Sequence, residues 1–168
     1  DFGDSDASYR RAIAIGDECS VAGVVRAHEE AKRQAEQGQR LRLIVGSEFR
    51  LEAGAGAPAC RLVLLAHDRE GYARLCELIT RARLRSEKGA YRASVDDVQD
   101  GAPNCSALLI PRREDPPEVL LAQAQWLQRR FGARAAIAVE LLLHADDSLL
   151  IERLDEVVES IVIGQDWQ

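Results

Sequence analysis

The sequence predicts an α/β fold made of βα units around a parallel sheet, on three observations. Short β-branched or Leu-rich runs alternate with longer stretches of helical periodicity. Strand candidates interleave with helices in the order expected of an open sheet or an incomplete barrel. The length, 168 residues, is that of a single domain able to bury a core without staples.

Each element has its own warrant. Arg11 to Ile15 (RAIAI) reads as a buried strand. Ser20 is placed to cap a helix from Val21 to Gln37, with Val21, Val24, Val25, Ala31 and Ala35 near one face and Gly38 ending it. Leu41 to Val45 (LRLIV) is the next strand, and after a Gly46-Ser47-Glu48 corner an extended piece, Phe49 to Glu52, leads into AGAGAPA. Leu62 to Ala66 is another strand, and Asp68 is set to cap a long helix whose Tyr72, Leu75, Cys76, Ile79 and Ala82 mark its core face. Ser86 to Asn104 is mostly loop with one turn at Ser94 to Val98, before Ala107 to Ile110 resumes as strand. Asp115-Pro116-Pro117-Glu118 starts a helix with Asp115 as acceptor and proline in the first turn, and Phe131-Gly132 ends it. Ala135 to Leu141 is a strand, Asp146 or Asp147 opens a helix through Val158, and Ile161 to Ile163 begins a last strand. There is no internal repeat and no long linker.

Charge and composition exclude several classes of function. With 28 acidic and 22 basic side chains, the net charge of −6 rules out a generally basic nucleic-acid surface. No apolar run is long enough for a spanning helix, so no membrane is expected. Cys19, Cys60, Cys76 and Cys105 form no CxxC pair to clasp a structural zinc, and they read as free thiols of a cytoplasmic protein. The acidic start, DFGDSD, has no signal-peptide character, and with no methionine anywhere the chain reads as a piece of a longer protein.

Ligands of such folds gather where strands finish, which draws attention to Asp17, Glu18 and Glu48 at successive strand ends. Carboxylates so placed suit hard cations poised over a phosphate ester. The plainer reading is that Asp17 and Glu18 favour the positive end of the following helix. His28, His67 and His144 do not cluster and read as surface or core histidines. Gly54-Ala55-Gly56 is followed by no Gly-Lys-Ser/Thr and joins two strands, so it is a turn and not a phosphate loop. Cys19 and Ser20 have no histidine at a motif distance and are discounted as nucleophiles. Arg81, Arg83, Arg85, Lys88 and Arg92, with Tyr91 among them, form the basic cluster. They either touch a nucleic-acid backbone or acidic partner, or simply offset a helix dipole.

AIAIGDECSVAGVVRAH (12–28), LIVGSEFRLE (43–52), LVLLAHDREGYARLCELITRARLRSEKGAYR (62–92), WLQRRF (126–131) and AVELLLHADD (138–147) together resemble the PHP (polymerase and histidinol phosphatase) domain of bacterial C-family DNA polymerases. The Asp-Glu-Cys-Ser version at Asp17 is similar to the error-prone branch of that family. The resemblance implies a distorted seven-stranded (βα) barrel with metal ions at its strand ends in active members. It implies that the family's first βα unit, with its His-x-His motif, precedes Arg11, so the chain is expected to be an incomplete barrel. Residue by residue, Asp17 matches the aspartate of the second metal motif and Glu48 the glutamate of Gly-x-Glu, with Glu18 and Asp166 as further candidates. The departures are specific. Glu18 replaces a histidine, Leu142 stands where a histidine often follows Val-Glu-Leu, and IVIGQDWQ offers Asp166 but no imidazole to match Gly-Asp-x-His-x-His.

The implied cofactor state is therefore no tightly bound metal, with at most weakly held Mg²⁺ or Mn²⁺. The implied function is a structural and interaction module in a parent polymerase that performs damage-tolerant synthesis. Its partners would be the parent's other domains, DNA through the parent, and other translesion or replisome proteins. The alternative is a metal-dependent phosphoesterase or 3′–5′ exonuclease of the PHP type.

Overall fold

The structure is a computed structural model and describes residues 12–39, 41–141 and 146–165. Arg11, Leu142, His144 and Asp166 lie outside the described residues. In chain order the elements are β1 (Ala12–Glu18), α1 (Val24–Glu36), β2 (Arg42–Glu52), β3 (Cys60–Ala66), α2 (Arg69–Leu84), β4 (Ala93–Ser94), a 3-10 turn (Val95–Val98), β5 (Cys105–Ile110), α3 (Pro117–Phe131), a second 3-10 turn (Gly132–Arg134), β6 (Ala135–Ile137) and α4 (Asp147–Gln165). They form one sheet in the order β1-β2-β3-β5-β6, with β4 beside the end of β2.

The sheet is mixed, which corrects the expectation of parallel βα units throughout. β1 and β2 are parallel, as are β5 and β6, but β3 runs antiparallel to both of its neighbours. The cause is local: AGAGAPA joins β2 to β3 with no helix between, and so short a link can only reverse the chain. Gly54 and Ala57 exchange backbone hydrogen bonds at the turn, and Asp96 Oδ1 accepts from Ala55 N at 3.1 Å. The Gly46-Ser47-Glu48 corner does not break the chain, and Arg42 to Glu52 is one strand.

Further boundaries differ from the sequence reading. α1 starts at Val24, because β1 runs to Glu18 and Ser20 N is tethered to Ser47 Oγ on β2 (3.0 Å). Among the described residues Ser20 Oγ accepts only from Ala22 N, and α1 has no side-chain cap. Asp115 does not cap α3, since the N-cap is Pro116 one residue later; the buried Asp115 carboxylate instead accepts from Arg112 and Gln123. β6 stops at Ile137 because Arg113 takes the Glu140 carbonyl and Arg61 the Glu140 carboxylate, holding that stretch off the ladder. Ile161 to Ile163 is helical, within α4, whose Leu150, Leu154 and Val157 are buried at helical spacing.

Other signals read directly into the fold. Asp68 caps α2, accepting from Glu70 N (3.0 Å) and Gly71 N (2.9 Å). Ser94 and Asp97 form a capping box on the turn at Val95–Val98. Alternation along the strands sends Phe49, Leu51, Leu62, Leu64, Ala107 and Leu109 to one face. There they meet Leu75 and Leu78 of α2 and Leu120, Ala124 and Leu127 of α3 in a single core. α4 packs on α3. The opposite face carries Glu48, Arg50 and Arg61 and is only partly covered.

A candidate charge-paired site on the open sheet face

Pairing between β1 and β2 decides which of the predicted carboxylates meet. Asp17 is in register with Ser47, and Glu18 with Glu48. Side chains alternate along a strand, so Glu18 and Glu48 share the open face while Asp17 points to the helix face. A methyl group on Gly23, which precedes α1, would lie 3.8 Å from Asp17 Oδ2, confirming that direction. The three carboxylates therefore do not converge.

Glu18 and Glu48 each meet a guanidinium on their own face. Arg61 Nε donates to Glu48 Oε1 at 3.0 Å, and its Nη1 to Glu140 Oε2 at 3.2 Å. Arg50 Nε lies 3.2 Å from Glu18 Oε1, which also accepts from the Tyr91 hydroxyl at 2.8 Å. These bonds to Glu48 and Glu140 hold the Arg61 guanidinium in its charged form. Burial, with the bond to Glu18 and despite the bond from Arg50 N, pushes the Tyr91 hydroxyl up to about 12. It stays a neutral donor.

The strand end itself is pinned by polar groups. Buried Ser47 donates its hydroxyl to the Asp17 carbonyl at 2.8 Å while accepting from Ser20 N. Cys19, fully buried at positive φ, gives its N–H to the Glu48 carbonyl, and its own carbonyl accepts from Arg83 Nη2 at 3.0 Å and Nε at 3.2 Å. Arg83 also stacks over the Tyr91 ring, 5.6 Å from its centre. Burial raises the Cys19 thiol above its ordinary range, which suits an inert core cysteine.

The basic cluster is largely consumed by these and similar contacts. Arg83 clamps the loop after β1, Arg85 makes two bonds to Asp97, and Arg92 pairs with Glu52. Arg81 and Lys88 have no hydrogen-bond or ion-pair partner among the described residues. Arg50, Arg61, Ser47 and Glu140 were not singled out from the sequence. Their partners lie between 13 and 79 positions away, a distance at which local pattern gives no signal.

Asp17, Glu18 and Glu48 do not form one metal-ligand set. Protein groups that hold a divalent cation tightly converge several ligands on one point, and among the described residues no group of three His, Cys, Asp or Glu is so placed. Glu48 is engaged by Arg61, Glu18 by Arg50, and Asp17 is on the other side of the sheet.

Comparison with known proteins identifies the class. The chain matches the PHP domain over residues 8–161 and belongs to that family. Its six-stranded sheet with helices is a mixed α/β architecture and an arc of the PHP barrel. Among individual proteins it is similar to the error-prone DNA polymerase of Ralstonia nicotianae, 50% identical over an alignment of 147 residues that covers 82% of this chain and 13% of that protein. It is 43% identical over 144 residues to the error-prone DNA polymerase of Pseudomonas aeruginosa, covering 86% of this chain and 12% of that one. The chain thus spans about an eighth of the length of these curated relatives. A Bifidobacterium adolescentis structure, provisionally described as a metal-dependent phosphoesterase, gives a TM-score of 0.46 at 12% identity over 75% of this chain and 66% of that one. That likeness is too distant to carry functional weight. No helix among the described residues is long and apolar enough to cross a membrane.

Proposed function

We propose that this chain serves as the PHP domain of an error-prone DNA polymerase and works there as a structural and interaction module, without hydrolysis of its own. The observation that carries the reading is the Arg61–Glu48 pair at 3.0 Å. In the family's metal motif this glutamate would face a cation, and here a guanidinium supplies the positive charge. A metal would have to displace a bonded arginine, so any Mg²⁺ or Mn²⁺ is weakly held. DNA-templated nucleotidyl transfer in damage-tolerant synthesis belongs to other domains of the parent, in the bacterial cytoplasm. DNA and other translesion or replisome proteins reach the module through the parent. Its own charge of −6 and the internal pairing of Arg85 and Arg92 favour weak DNA binding at physiological salt.

Elemental analysis of protein purified without chelator, together with aryl phosphate hydrolysis in Mn²⁺, tests the reading. The expected result is no stoichiometric zinc and no turnover. One tightly held zinc per chain, or Mn²⁺-dependent hydrolysis abolished in Glu48→Gln, would establish the phosphoesterase alternative instead.

A further inference from the structure

α1 is amphipathic in sequence yet buries no residue. Among the described residues its side-chain hydrogen bonds and ion pairs stay within the helix, from Arg33 and Gln34 to Glu30. Its N-cap is Gly23, which supplies no side-chain cap. Just past its other end Gly38 takes a φ of +80°, with nothing within 4 Å of where a Cβ would stand. A helix held by its two connections, with a glycine in each, is free to turn as a unit.

The element that faces it is fixed. α2 is capped by Asp68, buries Leu75 and Leu78, and packs Gly71 against the Asn104 carbonyl. Between the two helices runs a groove of about 730 Å³ over Leu43, Val45 and Ala66, all half-buried. Val25 on α1 is 67% exposed and Tyr72 on α2 is 37% exposed, and both line it. The gap follows from the connection of the strands: a turn joins β2 to β3, so no crossover helix lies over their seam.

Apolar groups on both walls and on the floor therefore stand in water, and bringing the walls together removes them from it. Charge does not oppose the approach. The Asp68 carboxylate is turned to its own helix, accepting from Glu70 N and Gly71 N, which leaves Glu29 and Arg69 of opposite sign on the facing walls. We infer that α1 is a lid that turns about Gly23 and Gly38 toward α2, lays Val25 on Tyr72 and covers Leu43 and Val45. The open arrangement is then one of two states, in which an apolar strip of the sheet is exposed or withheld. The lid goes beyond the module reading and does not depend on it.

Nuclear Overhauser spectra of the chain test the lid without any substitution. Closure gives contacts between the Val25 methyl groups and the Tyr72 ring, and these persist on dilution. A double-mutant cycle followed by urea unfolding reads the same contact as an equilibrium. Tyr72→Ala should lower the folding constant about fivefold more when Val25 is present than in Val25→Ala, because residues in contact couple. The control pairs Val25→Ala with Leu84→Ala at the end of α2, where Leu84 is 81% exposed, and those two effects should simply multiply. Effects of Val25 and Tyr72 that also multiply, absent Overhauser contacts, or contacts that vanish on dilution each overturn the lid. Those failures leave the module reading standing, because that reading turns on zinc content and hydrolysis.

Discussion

The edge unit of β1 and α1 and the central layer of β2, β3 and β5 under α2 and α3 both carry apolar residues at strand or helix spacing, yet they are packed in opposite ways. In β1 no residue is buried, Ile13 is 48% exposed, and α1 buries no residue. In the centre Leu62 is 0% exposed and α2 buries Leu75, Leu78 and Ala82. Between α1 and α2 runs a groove of about 730 Å³ over Leu43 and Val45, so α1 stands apart from the helix that seals the core. Periodicity marks a face as apolar, but burial requires a second layer within contact distance. The contrast also separates the candidate carboxylates, since Asp17 belongs to the edge strand β1 and Glu48 to the central strand β2.

Paired substitutions sharpen the contrast. The largest effect is expected from Leu62→Ala, which should cost about 2–5 kcal/mol, whereas Ile13→Ala should cost about 0.5 kcal/mol or less. Urea unfolding of the two variants checks this, and equal losses would mean that β1 is covered in solution. Glycines give the next largest difference. A methyl group on Gly71 would lie 2.1 Å from the Asn104 carbonyl oxygen, whereas on Gly16 the nearest atom is 3.9 Å away. Gly71→Ala should therefore lose about 1–3 kcal/mol and Gly16→Ala should be neutral or stabilising, read from melting temperatures.

Ser47 joins the two regions, and its hydroxyl bonds only to the segment after and at the end of β1. Ser47→Ala should cost about 1–2 kcal/mol and speed amide exchange in β1 more than in β3. Uniform acceleration across the sheet would deny the edge unit its separate opening.

The smallest effect concerns two carboxyls of lowered pKa. Burial opposes ionisation of Asp97, but bonds from Ser94 N and Arg85 outweigh it, so its carboxyl lies below the usual range. Its contribution to stability is present above the unfolded carboxyl pKa and is lost as pH falls through the folded one. Asp97→Asn should thus be less stable at neutral pH, with the gap to the parent closing in acid. Bonds from Arg33 and Gln34 bring exposed Glu30 on α1 down to about 2. Glu30→Gln should nonetheless change stability little, because solvent screens the pair. Denaturant midpoints measured across the acid range separate the two.

Much of the fold was legible because its signals are short in range. Asp68 two residues before Glu70 caps α2, Ser94 and Asp97 cap the turn between them, and AGAGAPA reads as a turn from its glycines alone. The misreadings at Ser20 and Asp115 involve the same kind of residue in the same kind of place. Other partners decided both, Ser20 through its backbone N–H, which the Ser47 hydroxyl accepts, and Asp115 through its carboxylate, which accepts from Gln123 and Arg112. Within the site, the sequence pointed to Glu18 and Glu48 on strand ends and the structure puts them side by side. It could not show Arg50 and Arg61 as their partners.

By itself, then, the sequence determined the α/β class, the placement of most elements, the family likeness and Glu18 at the end of β1, whereas Glu48, expected at a strand end, lies inside β2. These follow from backbone hydrogen bonding and apolar periodicity within a few residues, and from motifs whose order is preserved along the chain. Only the tertiary structure decided that Asp17 and Glu48 occupy opposite faces and that arginines neutralise Glu18 and Glu48. Those outcomes depend on strand register. A shift of one residue sends a side chain to the other face, and residues such as Glu18 and Tyr91, 73 positions apart, meet only after the sheet has closed between them.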